Sequence, residues 1–244
     1  MAANAKRIVI GAVFRALRRS GRVQPIDYRA ERRQLAEARR AAFVVPPSRP
    51  KQVWQLDFSE FETRHGGTWR IGGVADYWSK LELGRHVSTT QNHRDAIETV
   101  EQAISESERI AGCPLAELLV DEVIGEIRPI ALATDDGLCF KSARFAAYID
   151  RRPELIHIRT RRKGAGQNGV RERAFSSLKY EHLYRLEIDD GHQLGLEVET
   201  YRQLLNEVRP HEAISMRHRL DVHLEAINDR QTSKSNKPKN LPLP

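Results

Sequence analysis

Val53-Trp54-Gln55-Leu56-Asp57-Phe58-Ser59 is the stretch on which the fold turns. Trp54, Leu56 and Phe58 alternate with Gln55, Asp57 and Ser59, the period of a strand with one packed face, and Asp57 falls on the face opposite the large apolar side chains. Just upstream, Pro46, Pro47, Ser48, Arg49 and Pro50 break any helix and read as a linker at 45–50, so this strand opens a folded domain. Downstream, Gly66-Gly67 signals a hairpin turn, with a second strand expected at 69–75 and a third at 83–88. A helix follows with Ala96, Val100, Ala103, Ile104, Ser107 and Ile110 on one face, ended by Gly112 and Pro114. A short strand at 130–134 delivers Asp135 at its end. A small helix at 143–149 and a strand at 155–158 come next, then a loop at 161–169 with three glycines. A helix is expected from about 169 to 184. A last one places Val198, Tyr201, Leu204, Leu205 and Val208 at core spacing. The order βββ-α-β-α-β-α-α predicts an α/β domain with a mixed sheet, antiparallel hairpins first and helix-joined strands after.

The two ends read differently from the middle. Residues 1–44 have helical periodicity, with Ile10, Val13, Phe14 and Leu17 on one face and arginines on the other, and form a basic helical arm expected to order on a partner. The polar stretch 231–244, with three Lys and three Pro, reads as a disordered tail. The chain of 244 residues carries a formal charge of +7, which is the sum of +9 in residues 1–50, −5 in 51–230 and +3 in 231–244. No run approaches the roughly 20 apolar residues of a membrane span, no signal peptide is evident, and a cytoplasmic protein is expected. Cys113 and Cys139 stand far apart in no metal-binding spacing and read as reduced thiols. No phosphate-binding loop or dinucleotide fingerprint is present, so no nucleotide cofactor is expected.

Three carboxylates fall where such a fold could gather them: Asp57 in the first strand, Asp135 at a strand end, and Glu172 on the helix after the glycine loop. On the helical wheel Asn168, Ser176 and Lys179 lie near Glu172, while Val170, Ala174 and Leu178 are expected to seat the helix. Convergent carboxylates suit a hard cation such as Mg²⁺, and two such ions roughly 4 Å apart assist in-line displacement at phosphorus. Charge placement agrees: residues 151–185 hold ten basic and three acidic side chains, whereas 95–126 hold one and nine. A carboxylate set inside a positive collar suits a phosphodiester substrate, with Arg159, Arg161, Arg162, Lys163 and Lys179 as phosphate contacts.

The pieces Trp54-Gln55-Leu56-Asp57-Phe58, Gly73-Val74-Ala75-Asp76-Tyr77-Trp78-Ser79-Lys80, Thr134-Asp135-Asp136-Gly137 with Phe140, Gln167-Asn168-Gly169-Val170-Arg171-Glu172-Arg173 with Leu178-Lys179, and Asn206 with Arg209-Pro210-His211 resemble, in order, the catalytic core of bacterial insertion-sequence transposases. That family has the retroviral-integrase, RNase H-like core: a mixed five-stranded sheet flanked by helices. The resemblance covers about 51–215 and leaves 216–230 as an extension. It implies a DDE triad of Asp57, Asp135 and Glu172 holding two Mg²⁺ or Mn²⁺ ions. It also implies cleavage at element ends, transfer into target double-stranded DNA, and a homo-oligomer on the nucleoid. Asn168 and Ser176 join the basic collar as DNA contacts.

The sequence also departs from the family. Asp136 stands where Asn is usual, Ala174-Phe175-Ser176 replaces a stretch that is more often aromatic and polar or basic, residues 113–129 look like extra material, and the usual closing Pro and Tyr after His211 are not evident. About 45 residues precede the core, where a helix-turn-helix region is usual. Two alternatives follow: a DNA-binding derivative that no longer catalyses, and a nuclease of the same fold. Asp76 reads as a turn cap, His211 as a local hydrogen-bonding residue, and Trp54 and Trp69 as core.

Overall fold

A computed structural model describes residues 20, 46–121, 124–159 and 169–235. The chain divides into two compact units, Met1–Ala38 and Arg39–Pro244, and all the described residues except Ser20 belong to the second. The helical arm, the glycine loop with Arg161, Arg162, Lys163 and Asn168, and the end of the tail lie outside the described residues.

Five strands are described: β1 (Val53–Thr63), β2 (Gly67–Asp76), β3 (Glu82–Ser88), β4 (Ile130–Thr134) and β5 (Leu155–Arg159). They form one mixed sheet in the order β3-β2-β1-β4-β5. β1, β2 and β3 are antiparallel neighbours, and β4 and β5 run parallel to β1. The alternation in β1 works as read: Trp54 and Leu56 enter the main core, joined by Phe58, beneath α1 (His93–Ala111). On the other face Val53 and Phe61 belong to two separate apolar clusters, and Asp57 lies between them in the strand.

Helix α1 starts with a reciprocal capping box between Asn92 and Asp95 and ends at Gly112, whose φ of 72° is the left-handed conformation that glycine adopts without strain. Ala96, Val100, Ala103 and Ile104 are buried, as the spacing predicts. The extra segment contributes α2 (Leu115–Leu119), whose Leu115 and Leu119 extend the same core. Helix α3 (Ala143–Asp150) starts at Ser142, which accepts from the Phe145 N–H, and it buries Phe145 and Ile149.

Beyond β5 the structure differs from the sequence reading in four ways, the first being that Leu204 and Val208, expected in the core with Val198, Tyr201 and Leu205, are exposed where their helix widens into a π-helical turn. The helix expected at 169–184 is α-helical only as α4 (Gly169–Ser177); Leu178–His182 is π-helical and Leu183–Arg185 is a 3₁₀ turn. Leu178 and Leu183 are both fully buried. Five residues in an α-helix subtend about 140°, so only a widened turn lets both face the core. The seat of α4 is also rotated by one residue: Arg171 and Phe175, rather than Ala174, sink with Leu178. Finally, after α5 (Gly191–Gln203) and a second π-helical turn at Leu204–Val208, helix α6 (Arg219–Ser235) runs into the stretch expected to be disordered. It has few apolar anchors. Val222 is buried and Leu220 packs on the main core, and polar side chains complete the docking: Arg219 Nη1 donates to the carbonyls of Leu205 (2.5 Å) and Arg209 (3.2 Å), and His223 Nδ1 pairs with Ser79 Oγ at 2.9 Å.

Burial holds His157, His211 and His223 well below the usual imidazole range, each at about 4, with Arg159 and Arg219 adding to the effect at the first two. Between pH 6.5 and 4 the unfolded chain therefore binds protons that the native protein refuses, and the fold loses stability as pH falls through that window. Thermal denaturation followed across it is expected to show a falling midpoint, and His223→Asn, which cannot titrate, a shallower fall.

Candidate active site

Asp57 and Asp135 are brought together by strand register. Gln55 of β1 pairs with Ala133 of the parallel strand β4, so two residues further on Asp57 and Asp135 come level on adjacent strands, which run roughly 4.8 Å apart. The backbone turns immediately after β4. Asp135 Oδ1 accepts from Gly137 N at 2.9 Å, and its carbonyl accepts from Thr134 Oγ1 at 2.9 Å. The Thr134 oxygen also lies 2.9 Å from His157 Nε2, and with its own proton committed it accepts from the Nε2–H of neutral His157. A string of hydrogen bonds from β5 thus fixes the turn that carries Asp135.

Asp136, the departure from the family pattern, is neutralised in place: Lys141 Nζ is 2.5 Å and Arg159 Nη1 3.8 Å from its carboxylate. Arg159 therefore faces Asp136 at the sheet end. Ser176 is exposed, and Lys179 is half-buried, its ammonium pushed below the usual range by burial and partly restored by Glu60.

Glu172 is exposed in the first turn of α4. Its neighbour Arg171 is only 2% exposed and reaches across the sheet to β3, where Nη1 donates to both Glu82 oxygens at 2.7 and 2.9 Å. Arg85 Nη2 lies 3.1 Å from the same carboxylate, and the Phe175 ring lies 5.0 Å from the Arg85 guanidinium and 4.9 Å from that of Arg171. A Cβ on Gly73 would collide with Arg171 Nη2, so only glycine admits the guanidinium at the β2 position directly opposite Asp57. Two buried guanidiniums share one carboxylate, and Arg171 Nε and Nη2 have no hydrogen-bond partner among the described residues.

The charges around Asp57 identify its neighbours. Burial raises its pKa to about 6; the Phe58 N–H and Arg171 oppose the rise, and Asp135 and Glu172 add to it. One carboxylate thus senses the other two and the buried arginine. The donor set is all oxygen, and Arg171 only partly offsets the repulsion at Asp57, which fits a hard divalent cation in kind. Among the described residues, however, no three His, Cys, Asp or Glu side chains already close around an ion.

The other motif residues support this centre. Asn206, in the second π-helical turn, accepts from Glu82 N at 3.0 Å and donates to Glu82 O at 2.9 Å, covering the free edge of β3. Arg209 binds Glu181, Tyr201 Oη (2.9 Å) and Ser177 Oγ (3.0 Å). Asp76 accepts from Lys51 N, Trp78 N, Ser79 N and Ser79 Oγ at 2.7–3.1 Å and is the turn cap the sequence suggested. His211 accepts from Ala213 N at 3.1 Å, again a local role. Burial pushes the Cys139 thiol up to about 11, as suits an unreactive core cysteine. Sequence reasoning missed the Arg171–Glu82–Arg85 group. Its signal was an arginine four residues before Phe175, on the phase that the helix buries.

Residues 154–218 match the integrase core domain family. No curated protein matches the chain. Among solved structures, a chain of the simian T-cell lymphotropic virus intasome in complex with PP2A regulatory subunit B56 gamma superposes with a TM-score of 0.55 at 17% identity, over 81% of this chain and 59% of that one. The HTLV-2 integrase catalytic core domain in complex with magnesium, in its trimeric form, superposes at 0.51 and 17% identity, over 72% of this chain and 98% of that one. The dimeric form gives 0.50 at 16%, over 72% and 97%. The chain spans well under two thirds of the intasome chain and nearly all of the isolated core. At these identities the likeness is one of fold: the sheet and its helices form an integrase-type, RNase H-like core.

Two substitutions are expected to change stability in opposite directions. Asp57 has a raised folded pKa, so its charge costs stability as pH rises through about 6. Asp57→Asn should therefore stabilise the metal-free protein at pH 7.5 by about 1–3 kcal/mol, a gain that disappears below its ordinary pKa of 3.8. Glu82→Gln leaves two buried guanidiniums without a carboxylate and should cost about 3–5 kcal/mol. Urea denaturation measures both.

Proposed function

We propose that this chain is a DDE-type polynucleotidyl transferase, a transposase that cleaves DNA at element ends and joins them to target DNA. The observation that carries this reading is geometric: strand register levels Asp57 with Asp135, and Arg171, seated against Gly73 opposite Asp57, anchors the helix turn that carries Glu172. Asp57 and Asp135 would hold one Mg²⁺ or Mn²⁺, and Glu172 would complete a second site. Such ions supply Lewis-acid activation of a water or 3′-hydroxyl and stabilise the departing oxygen. The integrase-core match over 154–218, which includes Glu172, and a fold shared with an integrase core in complex with magnesium both support this reading.

The protein groups have separable tasks. Arg171 balances the carboxylates from beneath, and Lys141 with Arg159 removes the objection that Asp136 adds charge at the site. That weakens the reading of an inactive derivative. The collar of Arg161, Arg162, Lys163, Asn168, Ser176 and Lys179 would place the DNA backbone, helped by the basic arm at 1–44. The layout proposed is that arm, a linker at 45–50, a catalytic core at 51–215, and a C-terminal extension. Pairing two DNA ends calls for more than one protomer, and HTLV-2 integrase cores have been solved in dimeric and trimeric forms. An insertion-sequence origin would place the protein in a bacterial cytoplasm, on the nucleoid. No helix among the described residues is long and apolar enough to cross a membrane.

Oligonucleotides from the sequence flanking the gene, joined to a plasmid target with Mg²⁺ or Mn²⁺, test this reading. Wild type should nick and join strands and EDTA should abolish both, while Asp57→Asn and Glu172→Gln should each lose about a hundred-fold or more. Full activity in either variant contradicts the triad, and nicking without joining points to a nuclease of this fold.

A further inference from the structure

The solvent-facing edge that begins at Glu172 continues through Ser176 to Tyr180 and Tyr184, all exposed at intervals of four residues, while Arg171, Phe175, Leu178 and Leu183 sink on the other side. The π-helical turn at Leu178–His182 widens the helix where this line passes and so helps keep the two tyrosines in line with Glu172. Both rings are mostly in solvent, at 69% and 57% exposure, which is unusual for residues of this size.

Their arrangement is built. Tyr184 stacks one face on the buried Phe61 (centroids 5.6 Å apart, 29° between planes), and Tyr180 meets it edge-on at 5.3 Å and 66°. Beside Tyr184 opens a cleft of about 640 Å³ between Phe61, Arg64, Leu183 and Leu186, in the size range of small-ligand sites. Three of the acids nearby are paired, Glu181 with Arg209, Glu60 with Arg70 and Glu187 with Arg64, while Glu62 stands exposed in the lining of the cleft. Arg173 and Arg185, on the same stretch, make no ion pair among the described residues.

We propose that Tyr180 and Tyr184 form a stacking platform for unpaired bases of a single-stranded DNA segment next to the reacting phosphodiester. Every base has an aromatic face, so such a platform takes any sequence, whereas a duplex keeps those faces stacked internally. Arg173 and Arg185 would meet the backbone phosphates. The tyrosines stand eight and twelve residues along this stretch from Glu172, a distance of a few nucleotides. The proposal rests on the DNA-processing reading above and adds the strand state that the protein recognises.

The test uses the full chain in EDTA, so that catalysis plays no part, with a single-stranded oligonucleotide carrying 2-aminopurine and a blunt duplex of the same sequence. Wild type is expected to bind both and to quench the 2-aminopurine by stacking. Tyr180→Ala/Tyr184→Ala should lose about ten-fold or more in single-strand affinity, with the quench gone, an unchanged salt slope and unaltered duplex binding. Tyr180→Phe/Tyr184→Phe should keep both affinity and quench. Wild-type binding that the Ala variant leaves unchanged overturns the platform while the proposed function stands. An equal loss on both probes overturns it too, as does a change in oligomeric state without a change in DNA affinity. Failure of wild type to bind either probe overturns the proposed function itself, and the platform with it.

Discussion

The buried pair between Arg171 and Glu82 is the interaction on which the rest of the site depends. It crosses β2 at Gly73, ties the start of α4 to the edge strand β3, and so sets which side of the helix faces the sheet. With Arg171 and Phe175 turned inward, Glu172 must stand outward, on the edge of the helix that carries on through Ser176 to the two exposed tyrosines. Asn206 holds the backbone of Glu82 itself, so the second π-helical turn belongs to the same construction. A buried ion pair of this kind specifies position more than it adds stability. Here it leaves one guanidinium in excess beneath Asp57, Asp135 and Glu172.

That excess matters because the carboxylates have little else. Asp57 is raised to about 6, chiefly because the fold partly buries its charge, and its two acidic neighbours add to the effect. Arg171 moderates the repulsion without removing it, which is the condition in which a divalent cation gains most on binding. Around the site the charge is redistributed, not simply positive. Residues 51–230 sum to −5, yet Asp136 is paired with Lys141 and Arg159, and Glu60, Glu181 and Glu187 near Tyr184 are paired with arginines. The formal +7 of the chain is therefore a poor guide to where a polyanion would sit.

Much of the framework was legible before the structure. Alternation around Asp57, the apolar face of α1 and its glycine stop each rest on local periodicity, and each appears where the pattern puts it. What was not legible depends on partners distant in sequence. The inward turn of Arg171 requires Glu82 on a strand 89 residues away, and no wheel that treats arginine as a surface residue selects it. The π-helical turn at Leu178–His182 answers to Leu178 and Leu183, which both reach the core five residues apart. Helix α6 docks in part through Arg219 and His223, polar side chains that a hydrophobic pattern passes over. Bringing Asp57 level with Asp135 is a matter of strand register, which sequence spacing alone does not set.

If Asp57, Asp135 and Glu172 form the proposed cation centre, held in place by Arg171 and Glu82, a crystal of the protein soaked in Mn²⁺ and measured for anomalous scattering shows it most directly. A peak ligated by Asp57 and Asp135 is expected, with Glu172 at that ion or at a second one close by, and Arg171 still on Glu82. A peak elsewhere, no peak at saturating Mn²⁺, or an ion bound with Arg171 displaced from Glu82 would contradict it.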